Sequence, residues 1–261
     1  MKVAITTRAT YFQNKARLLP LIDAVSLRGA YGVSELLTRG IEHFDSSKDN
    51  LLHLGEFTCD DFPADAKHPM IAFAEQKKIP YISFHTGIAV RKYEYDRSKG
   101  IHQFTGDILN KNQILALAAE RIPNLQKMFS GIIAAENLPN HLSPVNQYVC
   151  EPSFISTIIK RYKLRLLFDT GHAQVSAHNM GIPLKRYIDG LPLDRTIEVH
   201  IHRPEIVNGK WRDQHGPPGK EEYDLLAYVK ERSDISYVTY EYVENEPLSL
   251  IASVIKRLRE S

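Results

Sequence analysis

The chain has 261 residues, 43% of them hydrophobic and 25% charged, with a formal net charge of +2. That length suits one α/β barrel, taken here as a single domain over 1–261, and the near-neutral balance lacks the basic excess of a dedicated nucleic-acid binder. Cys59 and Cys150 make no CxxC pair or disulfide framework, no apolar run approaches bilayer-spanning length, and "MKVAITTRAT" enters a strand pattern rather than a signal peptide, so a reducing cytoplasm is the expected compartment.

Eight short apolar runs follow one another along the chain: "KVAITT" (2–7), "IDAVSL" (22–27), "NLLHLG" (50–55), "PYISFH" (80–85), "SGIIAAE" (130–136), "LRLLFD" (164–169), "RTIEVHIH" (195–202) and "SYVTYEY" (236–242). Helical patterns lie between them. "VSELLTRGIEHF" (33–44) sets Leu36, Leu37, Ile41 and Phe44 on one side. "NKNQILALAAERIPNLQKMF" (110–129) does so with Ile114, Leu115, Leu117, Ala118, Ile122 and Leu125 and carries Pro123 as a candidate kink. "SFISTIIKRY" (153–162) and "LSLIASVIKRLRE" (248–260) complete the set. Eight strands alternating with helices imply a closed (β/α)8 TIM barrel, and the first strand lacks the Gly-rich turn of an open doubly wound sheet. "RPEIVNGKWRDQHGPPGKEEYD" (203–224) reads as a long loop on the C-terminal face, where barrel sites are built.

The strand ends carry the chemistry. His53 lies in the third strand and His85 ends the fourth. Glu136 ends the fifth, and Asp169 ends the sixth with His172 three residues on. His200 and His202 end the seventh, Asp213 and His215 lie in the loop beyond it, and Glu241 closes the eighth. Any one of these alone is ordinarily a hydrogen-bonded or ion-paired structural residue. Together they crowd carboxylates and imidazoles at one barrel mouth, a conflict that divalent cations resolve. Parity agrees, since Glu198, His200 and His202 share one face of their strand while Val199 and Ile201 take the other. Nine ligands, namely His53, His85, Glu136, Asp169, His172, His200, Asp213, His215 and Glu241, exceed the four of zinc or the six of iron and suit two or three ions. Glu136 is then the natural bridge, and His202 a spare that meets substrate or supports a ligand.

The order His, His, Glu, Asp-x-x-His, His, Asp-x-His, Glu around a barrel resembles the xylose isomerase-like superfamily. "DTGH" and "DQH" match the local motifs of the endonuclease IV family, zinc enzymes that cut DNA at abasic sites, and all nine residues find a place in that pattern. The stretch "DTGHAQVSAHNMGIPLKRYIDGLPLDRTIEVHIH" and the segment "DQHGPP" are closer to the multinuclear non-heme iron-dependent oxidases, which modify peptide cysteines, often with a partner protein; "EN" at Glu136-Asn137 occurs in both families. His172 departs from the oxidases, which typically have Asn there. The resemblance implies an iron-dependent oxidase acting on a peptide cysteine or small thiol, with a peptide-recognition partner protein.

Three alternatives stay open. Phosphodiester hydrolysis by zinc would need a DNA track; "VRKYEYDRSKGIHQF" (90–104) mixes basic and aromatic residues but also reads as a solvated loop. Sugar isomerisation or epimerisation with one divalent ion, manganese included, would use Glu136, Asp169, His200 and Glu241 and leave the other imidazoles without a role. A metal store is the non-enzymatic reading. Arg8 and Arg28, just past the first two strands, are candidates to hold an anionic substrate group, as is Arg203; Trp211 and Tyr223 are candidates for a wall near Asp213.

Overall fold

A computed structural model describes residues 1–28, 44–60, 62–63, 68–96 and 101–261; of residues 28, 94–96, 101–103 and 105 only the backbone is described. Eight parallel strands close into a barrel: β1 (Lys2–Thr6), β2 (Ala24–Arg28), β3 (Asp49–Glu56), β4 (Tyr81–His85), β7 (Ile132–Glu136), β8 (Arg165–Asp169), β9 (Thr196–Ile201) and β12 (Tyr237–Tyr240). These are the eight strands read from the sequence, and β1 pairs with β12 to close the cylinder. The helix expected over 33–44 lies, apart from Phe44, outside the described residues.

Alternation sorts each strand into two environments. Outward residues such as Val3, Ile5, Val199, Ile201, Val238 and Tyr240 join a large core under the helices. Inward, one residue from each strand builds a plug: Ala4, Ala24, Leu51, Tyr81, Ala134, Leu167, Ile197 and Tyr237. Each fully buried aliphatic side chain here contributes about 1.5–3 kcal/mol. Two residues further along seven of these strands, the inward positions become Thr6, Ser26, His53, Ser83, Glu136, Asp169 and Thr239, all buried; in β9 the register against β8 shifts between Thr196 and Glu198, and His200 takes the corresponding place opposite Asp169.

The outer layer uses helices α1 (Ala9–Gln13), α2 (Lys15–Leu18), α3 (Pro69–Gln76), α4 (Lys111–Met128), α5 (Pro152–Arg161), α6 (Thr170–Asn179), α7 (Leu184–Asp189), α8 (Lys220–Lys230) and α9 (Leu248–Glu260). A capping box between Asn110 and Gln113 starts α4, which runs through Pro123 without interruption. The acceptor that Pro123 leaves without a donor belongs to Ala119, an exposed residue whose carbonyl can turn to water. Helix α5 buries Phe154, Ile155, Ile158 and Ile159 on one stripe. Helix α6 differs, with Thr170 through Ala177 all buried. Its polar side chains therefore find partners: Gln174 donates to Glu222 (2.7 Å) and Ser176 to the Leu138 carbonyl (2.8 Å).

Two antiparallel hairpins stand apart from the barrel. One pairs β5 (Lys92–Asp96) with β6 (Ile101–Thr105), within the stretch read as a loop. The other corrects the long-loop reading of 203–224, because β10 (Arg203–Val207) pairs with β11 (Lys210–Gly216) and α8 follows. Asn208 (φ 52°) and Gly209 (φ 72°) make its turn, the left-handed pair that a tight hairpin requires. Among the described residues no helix is long and apolar enough to cross a membrane.

Candidate metal centre

Asp169 shows how local structure builds the site. It ends β8 and is the N-cap of α6, where its Oδ1 accepts the backbone N–H of His172 at 2.7 Å. The Asp-x-x-His spacing is thus cap geometry, with the His at the third helical position turned back over the strand end. Asn137 locks the adjoining strands. Its amide donates to the Asp169 carbonyl (3.1 Å) and accepts from the Asp169 N–H (2.9 Å). The "EN" pair therefore supplies one inward carboxylate and the clamp that sets its neighbour. Gly171 leaves room for His202, since a Cβ there would lie 2.1 Å from the His202 ring.

The structure brings His53, His85, Glu136, Asp169, His172, His200, His202, Asp213, His215 and Glu241 into one continuous cluster. Glu136 Oε2 lies 3.2 Å from the Nε2 atoms of both His53 and His85. Its Oε1 lies 3.3 Å from Nδ1 of both His172 and His200. His200 Nδ1 is 3.2 Å from Glu241, whose other oxygen is 2.7 Å from His215 Nε2. Asp213 stands 3.3 Å from His172 Nε2 and 3.6 Å from His215 Nδ1. His202 lies between two carboxylates, with Nε2 3.0 Å from Asp169 and Nδ1 3.5 Å from Asp213.

Four overlapping triads have ligand atoms within 4.8 Å of one another: His53, His85 and Glu136; Glu136, Asp169 and His200; Asp169, His172 and His202; His202, Asp213 and His215. The donor set fits cations on a second ground. Both oxygens of Glu136, both ring nitrogens of His200, Nδ1 of His202 and Oδ1 of Asp213 are buried with no hydrogen-bond partner. Such atoms are costly to bury unless something else coordinates them. Burial alone would raise the Glu136 carboxyl, yet the surrounding imidazoles of His200, His53 and His172 outweigh it and hold it well below the usual carboxylate range. Asp213 is held down in the same way by His215, His172 and His202. Imidazole and carboxylate donors in this mixture suit iron and zinc alike.

The remaining candidates divide. Arg8 is half-buried as the N-cap residue of α1, and Arg28 ends β2 with its side chain outside the described residues. Arg203 is exposed. Trp211 stacks on His178 with ring centroids 4.1 Å apart, and Tyr223 lies under the Arg257 guanidinium at 3.8 Å. Two acidic residues next to the cluster received no role from the sequence. Glu198 Oε1 is 3.2 Å from His200 Nε2, and Glu56 Oε1 is 3.1 Å from His85 Nδ1. Strand parity placed Glu198 beside His200; nothing in the spacing placed Glu56 beside His85.

Solved structures share this architecture. Endonuclease IV from Thermus thermophilus superposes with a TM-score of 0.57 at 11% identity, covering 100% of this chain and 98% of that one. D-psicose 3-epimerase from Clostridium cellulolyticum, solved with D-tagatose, gives 0.56 at 13% identity, covering 98% and 89%. These likenesses establish a TIM-barrel fold. In sequence, a UPF0276 protein of Acaryochloris marina is 30% identical over 105 residues, 40% of this chain and 38% of that protein. A UPF0276 protein of Streptomyces avermitilis is 28% identical over 142 residues, 54% and 27% respectively. The match thus spans less than half the length of either relative. The profile of the family described as "RiPP precursor modification enzyme MbnB/TglH/ChrH" aligns with residues 72–249, which is more than half of the chain and takes in every clustered residue except His53. By that match, the chain belongs to the MbnB/TglH/ChrH family of precursor-peptide modification enzymes.

Proposed function

We propose that this protein is a multinuclear iron-dependent oxidase that modifies a cysteine of a ribosomally made precursor peptide. The observation that supports it most is the placement of Glu136: fully buried, without a hydrogen-bond donor, and within 3.3 Å of four imidazoles. A carboxylate so placed would be suited to hold more than one cation. Family membership supplies the peptide, and the mixed nitrogen and oxygen donors suit iron. His53, His85, Glu136, Asp169, His172, His200, Asp213, His215 and Glu241 would hold two or three ions, with His202 available between Asp169 and Asp213. Iron held by these residues would supply the redox chemistry for oxidising a substrate thiol with dioxygen.

The chain's own residues set the conditions. Glu136 and His200 lie at the closed floor, with side chains 0% and 1% exposed, whereas His85, Asp213 and His215 are 20%, 15% and 16% exposed. The approach for a peptide is therefore from the side of His85 and hairpin β10–β11. Asp169 cannot swing out, because the His172 N–H and the Asn137 clamp hold it. Packed α6 behind it excludes water from that wall.

Protein purified without chelators should carry two or three irons per chain and develop an absorption band on adding a cysteine-containing peptide. With dioxygen the peptide should change mass at that cysteine. Zinc as the native metal, together with nicking of abasic DNA, would replace this reading with hydrolysis.

A further inference from the structure

We infer that Glu56 is a positioning residue that fixes the His85 ring so that Nε2 is turned toward the cation shared with His53 and Glu136, and that Tyr93 holds Glu56 in place. The inference rests on the metal-centre reading above and is independent of which reaction the centre performs.

Strand irregularity brings Glu56 to the site. In a regular strand, residues three apart face opposite sides. The pairing of β3 with β4 shifts between His53, opposite Ser83, and Glu56, opposite His85. Three steps on β3 thus match two on β4, and the extra residue of this bulge returns Glu56 to the face of His53. Its carboxylate is 11% exposed. Both oxygens are engaged: Oε1 faces His85 Nδ1 at 3.1 Å, and Oε2 accepts from the Tyr93 hydroxyl at 2.8 Å. With its oxygens so directed, Glu56 stands outside the triads that could hold an ion.

The chemistry follows from donor and acceptor roles. An ionised carboxylate only accepts, so Nδ1 of His85 carries the proton and the Nε2 lone pair is left for a cation. Nε2 already lies 3.0 Å from His53 Nε2 and 3.2 Å from Glu136. Two other imidazoles are held differently. His53 Nδ1 meets the neutral hydroxyl of Ser83 (2.8 Å), and His172 Nδ1 meets the Asn137 carbonyl (2.9 Å). His85 is the most exposed imidazole of the cluster, and its ring is hydrogen-bonded to a carboxylate from outside it. Tyr93 belongs to β5, whose base is tied down where Arg91 pairs with Asp60 at 2.8 Å. A line of contacts therefore runs from the β5–β6 hairpin through Glu56 and His85 to Glu136.

Titration of the metal-free protein with Co(II), followed by calorimetry and visible absorption, tests this. Glu56→Ala should weaken one binding event by roughly 10–100-fold and leave the others in place. Tyr93→Phe, which keeps the ring and its packing, should weaken the same event by roughly two- to tenfold. Glu56→Gln, which retains an acceptor but drops the charge, should fall between them. Metal-free melting temperatures should match wild type. Wild-type Co(II) affinity in all three variants would overturn the assignment, as would equal weakening of every event alongside a lowered metal-free melting temperature. Wild-type protein that takes up no Co(II) would instead sink the metal-centre reading itself. Should Glu56→Ala fail to fold, Tyr93→Phe and Glu56→Gln carry the test.

Discussion

Two layers of the barrel interior lie one strand repeat apart and obey opposite rules. The lower one, from Ala4 round to Tyr237, is complete in itself: apolar groups fill the cylinder and need no further partner. The upper one, centred on Glu136, buries carboxylate and imidazole atoms that no protein donor or acceptor satisfies. The same strands and the same alternation build both. Apolar burial thus stabilises the lower layer, and the upper layer holds unsatisfied donor atoms of the kind that cations coordinate.

The comparison breaks most directly at Glu136. Glu136→Gln should abolish turnover and lower bound metal. It should also erase the difference in melting temperature between metal-loaded and chelator-treated protein. That difference should be large in the wild type, since metal at about 1,000 times its dissociation constant adds roughly 4 kcal/mol, about 8–16 °C for a chain of this size. Full metal content with turnover in Glu136→Gln would remove the bridge. Leu167→Ala, in the lower layer, should cost about 2–5 kcal/mol with or without metal, leaving the chelator-sensitive increment intact. A chelator effect that changes in Leu167→Ala would show the two layers to be one unit. Gly171→Ala should cost about 1–3 kcal/mol and displace His202, measured as melting temperature and as metal content. The smallest effect concerns sulfur. Burial pushes the Cys150 thiol up to about 12, and Cys59 is buried too, so neither should be alkylated by iodoacetamide at pH 8 in folded protein. Rapid labelling would admit a protein thiol to the chemistry.

The barrel was legible because its signal is repetitive. Eight apolar runs survive the loss of any one, and parity put Glu198, His200 and His202 on one face. Irregular features hid the rest. Glu56 lies at odd spacing from His53, and only the bulge makes the two neighbours. Helix α6 lacks an amphipathic stripe because it is buried on all sides, so periodicity had nothing to report. The β10–β11 hairpin did leave a mark, Asn208-Gly209 between "IV" and "KW", which the charge and the prolines around it obscured. His202 showed in the sequence as a histidine without a place; Gly171 and the two flanking aspartates give it one.

Asp169 carries two duties in one side chain, because the carboxylate that faces the imidazoles also opens the helix behind them. Replacing it with alanine would report on both at once, and a dead variant would say nothing about which was lost. Asparagine separates them, since an amide oxygen still caps a helix while the negative charge is gone. Mutational surveys of this barrel are therefore best read through isosteres at that position, with alanine kept for its neighbours.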